Sequence, residues 1–285
     1  QRINKVFRTI DFSNTLPLAT GYTKGTEGIM REFDRGYSEV TFSKIAVEVG
    51  AREAVIHKEY HLSSADPSIV GVEHSRPVGQ TNFNVADQLA DIGMEAIHPK
   101  ASKPLELAGI NIRIKNTFEP DHPGTLITRD YRGNDSRVEI ISGTDQVMAI
   151  EVHDPLMVGQ VGFDLGMMKL VERYHISYIL KATNANSITM VIWEKDRSGR
   201  LLKELRETYQ EVTEKKVALV CTLGTNIAKP GALAVATRAL HQEGINIAAV
   251  SQSLKQVNMQ FVISRQHYRR AVVALNRAFG KGEPG

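Results

Sequence analysis

Residues 147–192 and 217–263 read as one pattern written twice, and that repeat constrains the fold more than any other feature. The first copy runs VMAIEVHDPLMVGQVGFDLGMMKLVERYHISYILKATNANSITMVI. The second runs VALVCTLGTNIAKPGALAVATRALHQEGINIAAVSQSLKQVNMQFVI. Each opens on an alternating apolar run, the period-two signature of a strand. A loop bearing Gly or Pro follows, then an amphipathic helix, a short strand after His175-Ile176 or Gly244-Ile245, and a last strand. The order strand–helix–strand–strand, copied in tandem, predicts one small α/β module used twice. Only two copies are present, so the pair forms a double domain rather than a solenoid, which needs more units to bury a continuous core.

Composition narrows the class. A chain of 285 residues is long for one domain, and a prior of roughly 100–200 residues per domain predicts two. Hydrophobic residues at 42% and charged residues at 24% are ordinary for a globular protein. No run approaches the ~18 apolar residues of a membrane helix, and no charged–apolar–small leader opens the sequence. The single cysteine, Cys221, has no partner for an intramolecular disulfide and sits in VALVCTL, where it reads as a small buried hydrophobe. Together these features predict a cytoplasmic protein with no membrane partner. The formal charge of +3 is dispersed, so nucleic-acid binding has no electrostatic footprint.

Ahead of the repeat, short apolar runs alternate with helical spacing. Leu16–Gly21 reads as a buried strand, followed by a polar Gly-rich loop over 22–36. Val40–Val49 reads as a helix stopped by Gly50, and Glu53–His57 as a strand. Ser63–Gly79 is loop-like. Asn84–Ile92 reads as a helix capped by Asn82 or Asn84, Glu95–His98 as a short strand stopped by Pro99. A helix then runs through Pro104–Ala108 to Gly109, and Ile110–Ile114 is a strand. This alternation predicts a mostly parallel sheet covered by helices. The turn formers of PDHPG and YRGNDS place a boundary near residues 128–136. The predicted domains are 1–129, 130–212 and 213–285, and Ser198–Thr208 is a charged helix packed within the first repeat.

Four short segments carry a resemblance to a known family. IHPK at 97–100 resembles the histidine–proline turn of the aspartokinases, and NTFEPDHPGTLI at 116–127 the run that closes their kinase domain. DRGYSE at 34–39 is similar to their substrate loop, and SSADP at 63–67 to their threonine–alanine–aspartate–proline. The two repeats resemble tandem ACT domains, modules that hold regulatory amino acids. The resemblance covers roughly residues 17–279, and EYHLSSADP with MEAIHPK is most similar to the aspartokinases of ectoine synthesis. It implies the rear part of an amino-acid-kinase fold followed by two ferredoxin-like ACT domains. It also implies ATP-dependent phosphorylation of the aspartate side-chain carboxylate to aspartyl-4-phosphate, with Mg2+ carried by ATP.

The resemblance assigns site residues, and the sequence departs from it at several. The family's opening lysine–glycine–glycine–threonine motif does not occur among these residues. With the abrupt start at Gln1, this leads us to expect a fragment, or a chain without its N-terminal phosphate-binding half. For aspartate the matching positions are Tyr22, Arg35, Gly36, Ser38 and Glu39, with the Arg35 fork suited to a carboxylate. Tyr37 and Glu39 replace a glycine and an aspartate of the family pattern. For the nucleotide they are His57, Lys58, Tyr60, Ser63, Asp66 and Pro67. Ser68 and Glu95 stand where the family has an arginine and a lysine, which weakens a phosphate site, while Lys58 restores one positive charge. His57, Glu59 and His61 share one face of a strand, yet no third cluster joins them and HExxH is missing, so no dedicated metal site is expected. His98 reads as a structural turn residue.

In the ACT-like repeats, the loop entering the helix suits an amino-acid carboxylate through exposed backbone N–H groups. The resemblance places an effector, threonine or lysine, at Met157, Val158, Gly159 and Gln160 with Asn186 and Ser187. In the second repeat it places one at Asn226, Ile227, Lys229 and Pro230, near the first helical position, with Gln252 and Asn258. Met167, Met168 and Leu170 lie on the core face of a helix. Free strand edges lead us to expect a homodimer or larger assembly. A rival reading from another class is a catalytically inactive amino-acid sensor. Ser63, Ser68 and Glu95 favour the sensor; Arg35, SSADP and the NTFEP…PGTLI run favour the enzyme.

Overall fold

The structure, a computed structural model, describes residues 2–21, 37–94, 96–195 and 197–280. The chain divides into two compact units: Gln1–Ser64, Arg76–Ala90 and Met94–Asn134 form the first, and Ala65–Ser75, Asp91–Gly93 and Asp135–Gly285 the second.

The first unit is built on β1 (Glu53–Lys58), β2 (Gln80–Asn82), β3 (Asn111–Asn116) and β4 (Thr125–Thr128), in the order β1-β3-β4-β2. β1 pairs β3 in parallel and β2 pairs β4 in parallel, while β3 and β4 run antiparallel. In β3 every second residue is buried, so Ile112 and Ile114 point into the core and Arg113 and Lys115 away. The helices here are α1 (Arg2–Phe7), α2 (Tyr37–Glu48), α4 (Phe83–Asp91) and α5 (Pro99–Leu107), with α2 and α5 packed together. The short α3 (Pro67–Val70) belongs to the second unit. Asn82 caps α4 as its side chain accepts the Val85 N–H at 3.0 Å. His98 caps α5 through Nδ1, which takes the Lys100 N–H at 3.2 Å, so its structural role stands.

Three expectations fail here. Leu16–Gly21 is no strand, and Leu16 and Leu18 are 85% and 91% exposed. Ala96 and Ile97 form a bend before α5 rather than a strand, although both are buried. β4 emerges from the turn-rich segment after PDHPG, where only loop was expected; its short TLIT run takes its register from β3.

The second unit contains one six-stranded sheet, ordered β6-β7-β5-β8-β10-β9. Its elements are β5 (Ile140–His153), α6 (Phe163–Arg173), β6 (Tyr178–Thr183), β7 (Ser187–Trp193), α7 (Ser198–Thr208), β8 (Glu211–Leu223), α8 (Ala232–Gln242), β9 (Ile247–Ser251), β10 (Asn258–Ser264) and α9 (Tyr268–Gly280). Both repeats therefore fold as strand–helix–strand–strand–helix. β5 and β8 are long strands paired antiparallel, with a register shift between Thr144 and Val147.

That shift divides the sheet. Residues 147–153 of β5 pair with β7 and with residues 211–217 of β8. Residues 217–223 of β8 pair with β10 and with residues 140–144 of β5. Each half is thus a four-stranded ferredoxin-like sheet, and each long strand serves both. The fourth strand of the second repeat is the stretch ahead of the first. At the crossing, Gly143 lies so close to β8 that an added Cβ would meet the Leu219 carbonyl oxygen at 2.3 Å. Arg265 fastens the same place, donating to the Val147 carbonyl at 2.7 Å and to Glu194 at 2.7 Å.

Two helix-covered cores result. Met148, Ile150, Val152, Ile188, Met190 and Ile192 pack against Met167, Leu170 and Leu201, with Met168 at the margin, as the helix-face reading of α6 predicts. Ile141, Val220 and Phe261 pack against α8 and α9 together with Ala65 and Val70 of α3 and its approach. β7, β8 and β10 also bury their other face, including Val191, Cys221 and Val262. The edge strands β6 and β9 approach one another but share no backbone pairing, so each is an unpaired edge of the six-stranded ladder.

Candidate functional site

The parallel strands β1 and β3 end side by side at Lys58 and Asn116. In open α/β sheets, ligands collect at the carboxyl ends of such strands. Lys58 Nζ lies 3.0 Å from Glu39 Oε1 in the first turn of α2. The second oxygen of Glu39 accepts the His98 N–H at 2.6 Å. One carboxylate thereby ties the start of α2, the end of β1 and the cap of α5 together. Ser38 is exposed and stands against Gly21. Tyr22, Arg35 and Gly36 lie outside the described residues, as does Glu95.

His57 is exposed on β1, and Tyr60 is 70% exposed in the loop beyond. Ser63 forms a β-bridge with Pro77, and its hydroxyl donates to the His61 carbonyl at 3.2 Å. Asp66 and Pro67 are counted with the second unit. There Asp66 caps α3, its carboxylate taking the Ser68 N–H at 2.8 Å, with Pro67 as the first helical residue. Four of the six nucleotide candidates are therefore gathered on the first unit, and the remaining two have a helix-capping role.

A cluster beside Lys58 was missed from the sequence. His61 Nε2 lies 3.1 Å from Glu119 Oε2, and the His61 side chain is only 10% exposed. The His61 and His122 rings meet at a tilt of 53°, with centroids 4.2 Å apart. Asn116 donates to the other Glu119 oxygen at 3.1 Å. The His61 ring holds the Glu119 carboxyl below the usual glutamate range, with His122 and Asn116 adding to the effect. The signal was in NTFEPDHPG, which was read as a family run and a turn without a role for its Glu119 or His122 side chain. Among the described residues no group of three or more His, Cys, Asp or Glu is arranged to hold a metal ion.

In the first repeat the loop after β5 begins with Asp154, whose carboxylate takes the Leu156 N–H at 2.9 Å. Met157 ends a 3-10 turn, while Val158, Gly159 and Gln160 are exposed. Asn186 reaches this loop: its carbonyl accepts the Asp154 N–H at 2.9 Å, and its amide lies 3.2 Å from His153 Nε2. His153 Nδ1 lies 3.0 Å from Glu211. Ser187 is buried and donates to Asn184 at 3.0 Å. The structure therefore brings Asn186 and Ser187 beside the loop, together with His153, Asn184 and Glu211, which the repeat alignment did not single out.

The second repeat is built differently. Ile227 is 1% exposed and belongs to the core around α8 and α9. Asn226 is buried, whereas Lys229 and Pro230 are exposed. Pro230 stands ahead of the N-cap Gly231 rather than at the first helical position, because α8 starts only at Ala232. The hydroxyl of Thr225 donates to Glu139 at 2.7 Å, and burial keeps the Glu139 carboxyl above its usual range. Gln252 is exposed beyond β9, and Asn258 is buried opposite Leu223.

Comparison with known proteins agrees with this architecture. Residues 2–116 match the amino acid kinase family and residues 220–279 the ACT domain. An amino acid kinase segment followed by ACT-type folds is the class that the structure and sequence define. Aspartate kinase Ask_Ect of Stutzerimonas stutzeri is 46% identical over 282 residues, covering 98% of this chain and 59% of that protein. The aspartate kinase of Clostridium acetobutylicum has a TM-score of 0.78 and 27% identity, covering 87% of this chain and 59% of that one. E. coli aspartokinase III in complex with aspartate and ADP shares the fold, with a TM-score of 0.74 and 21% identity over 86% of this chain and 56% of that one. In sequence and in fold the chain is similar to these aspartate kinases. The chain spans about three-fifths of the length of these relatives.

Proposed function

We propose that this chain serves an aspartate kinase as its C-terminal portion. The reaction moves the γ-phosphoryl group of ATP to a side-chain carboxylate oxygen of aspartate, giving aspartyl-4-phosphate and ADP. The observation that carries this reading is the 46% identity running through both the kinase segment and the ACT repeats. Phosphoryl transfer is mostly positioning and charge stabilisation, and the first unit offers groups suited to both. The resemblance assigns aspartate to Tyr22, Arg35, Gly36 and Ser38. Glu39 ties the start of α2 to Lys58, and His57, Lys58, Tyr60 and Ser63 serve the nucleotide. Mg2+ arrives with ATP as part of the substrate and keeps its own waters.

The ACT repeats make the enzyme responsive to an amino acid, threonine or lysine. The first repeat is the better site, because Asn186 and His153 meet where the loop leaves β5 at Asp154, whereas Ile227 in the second repeat is spent in the core. Exposed Leu156, Val158, Val161 and Leu165 give the same repeat an apolar surface suited to a homodimer. The pathway is ectoine synthesis and the compartment the cytoplasm, in line with the MEAIHPK and EYHLSSADP resemblance.

An aspartyl-hydroxamate assay with ATP, Mg2+ and aspartate tests the reading, run on this chain and on the product of the complete reading frame that encodes it. Turnover by the complete product that falls on addition of threonine or lysine supports it. A complete product without aspartate-dependent ADP release overturns it in favour of the sensor.

A further inference from the structure

Two aromatic rings stand in solvent at the carboxyl ends of β1 and β3. Tyr60 is 70% exposed and Phe118 76%. Each lies two residues beyond its strand, because β1 ends at Lys58 and β3 at Asn116, and those two residues are register partners. Single exposed apolar side chains are ordinary on a protein surface. A pair at matching positions on neighbouring loops calls for a cause.

The loops that carry the rings are tied to each other on both sides of them. On the strand side, the Thr117 N–H donates to the Lys58 carbonyl at 2.8 Å and carries the pairing one residue further. On the far side, His61 Nε2 meets Glu119 Oε2 at 3.1 Å. Only Glu59, Tyr60 and Phe118 lie between these two contacts. The backbone under Phe118 is fixed as well, since its N–H donates to the side-chain carbonyl of buried Asn116 at 3.0 Å. Beyond Tyr60, the Ser63 hydroxyl closes the loop on the His61 carbonyl at 3.2 Å. Among the described residues neither ring meets another aromatic ring. All of these groups belong to the first unit.

Exposing two rings to water is unfavourable, and a ring on a pinned loop loses little freedom when a flat ligand lands on it. Ligands of open α/β sheets gather at the carboxyl ends of parallel strands. A heteroaromatic base suits such a place, because it stacks on aromatic side chains whatever its hydrogen-bonding edge. We propose that Tyr60 and Phe118 form the seat of the nucleobase, the adenine of ATP. The resemblance gives Phe118 no role, and it gives Tyr60 to the nucleotide without saying which part. This assignment rests on the proposed aspartate kinase activity. The base is remote from the phosphoryl group in transfer, so stacking holds ground state and transition state alike and sets affinity rather than the chemical step.

Calorimetric titration of ADP into the product of the complete reading frame tests the seat. Phe118→Leu and Tyr60→Leu keep apolar bulk and lose the ring, and each should weaken ADP binding about tenfold. Phe118→Trp and Tyr60→Phe keep a ring and should bind within about twofold of wild type. Leu107→Ala, at an equally exposed apolar position on α5 of the same unit, should change nothing. In the aspartyl-hydroxamate assay the two leucine variants should raise KM for ATP about tenfold, with kcat and KM for aspartate within about twofold. Leucine variants that bind ADP as wild type does, or ring-keeping variants that lose as much as they do, overturn the seat and leave the kinase activity standing. A wild-type product that neither binds ADP nor turns over overturns the seat and the activity together.

Discussion

Glu39 Oε1 and Lys58 Nζ stand 3.0 Å apart, joining the first turn of α2 to the last residue of β1. The carboxylate also accepts the His98 N–H at 2.6 Å. Lys58→Met leaves that second contact in place and removes a partly exposed ion pair, so it should cost about 0–1 kcal/mol. Glu39→Gln removes the charge from both contacts and should cost about 1–3 kcal/mol. Urea unfolding of the two variants measures the difference. Equal losses would mean that the bond to His98 contributes nothing to stability.

Gly124 has φ +72°, and a Cβ placed on it would meet the Ile114 carbonyl oxygen at 2.1 Å. That atom is backbone of β3 and has little room to give. Gly124→Ala should therefore destabilise the first unit by at least about 1–3 kcal/mol. Thermal unfolding would show a lower transition for that unit. An unchanged transition would mean that the loop between β3 and β4 can re-form elsewhere.

The Glu119 carboxyl titrates below its usual value because His61 sits beside it. A carboxyl with a lowered pKa in the folded state adds stability above the unfolded value of 4.5, and that share is lost as pH falls through the lower folded value. Glu119→Gln should thus weaken the protein at neutral pH and flatten the decline of stability below pH ~4.5. Urea midpoints measured from neutral pH into the acid range test this. A parallel acid limb in the variant would show that other carboxyl groups govern it.

Cys221 is fully buried on β8, and burial raises its thiol well above the ordinary range. The thiolate is the reactive form, so iodoacetamide should not label the native protein and should label it readily in urea. Mass spectrometry of the 217–223 peptide gives the answer. Rapid native labelling would place the interior face of the sheet within reach of solvent.

Local order was readable where a local cause set it. The strand–helix–strand–strand pattern of both repeats follows from side-chain period, and the cap at Asn82 follows from a short polar side chain at a helix start. Strand partners were not readable, because alternation marks a face and says nothing of which strand lies beside it. For that reason the exchange of β5 and β8 between the two half-sheets was invisible. Leu16 and Leu18 mislead because apolar character predicts burial only when a neighbour arrives to cover it. The His61, Glu119 and His122 cluster joins segments far apart in sequence, and His61 was read on a strand face with His57 although β1 ends at Lys58. Ile227 entered the effector loop by analogy of position, and packing took it instead.

The shared strands β5 and β8 make the two repeats inseparable. A cut anywhere between them would hand each piece three strands of its own and an open seam where the fourth should lie. Proteolysis, gene splitting or exchange of one repeat for a foreign ACT module would all meet the same obstacle. The sequence holds two copies of a pattern, but only the pair can be trimmed or transplanted as a folded object.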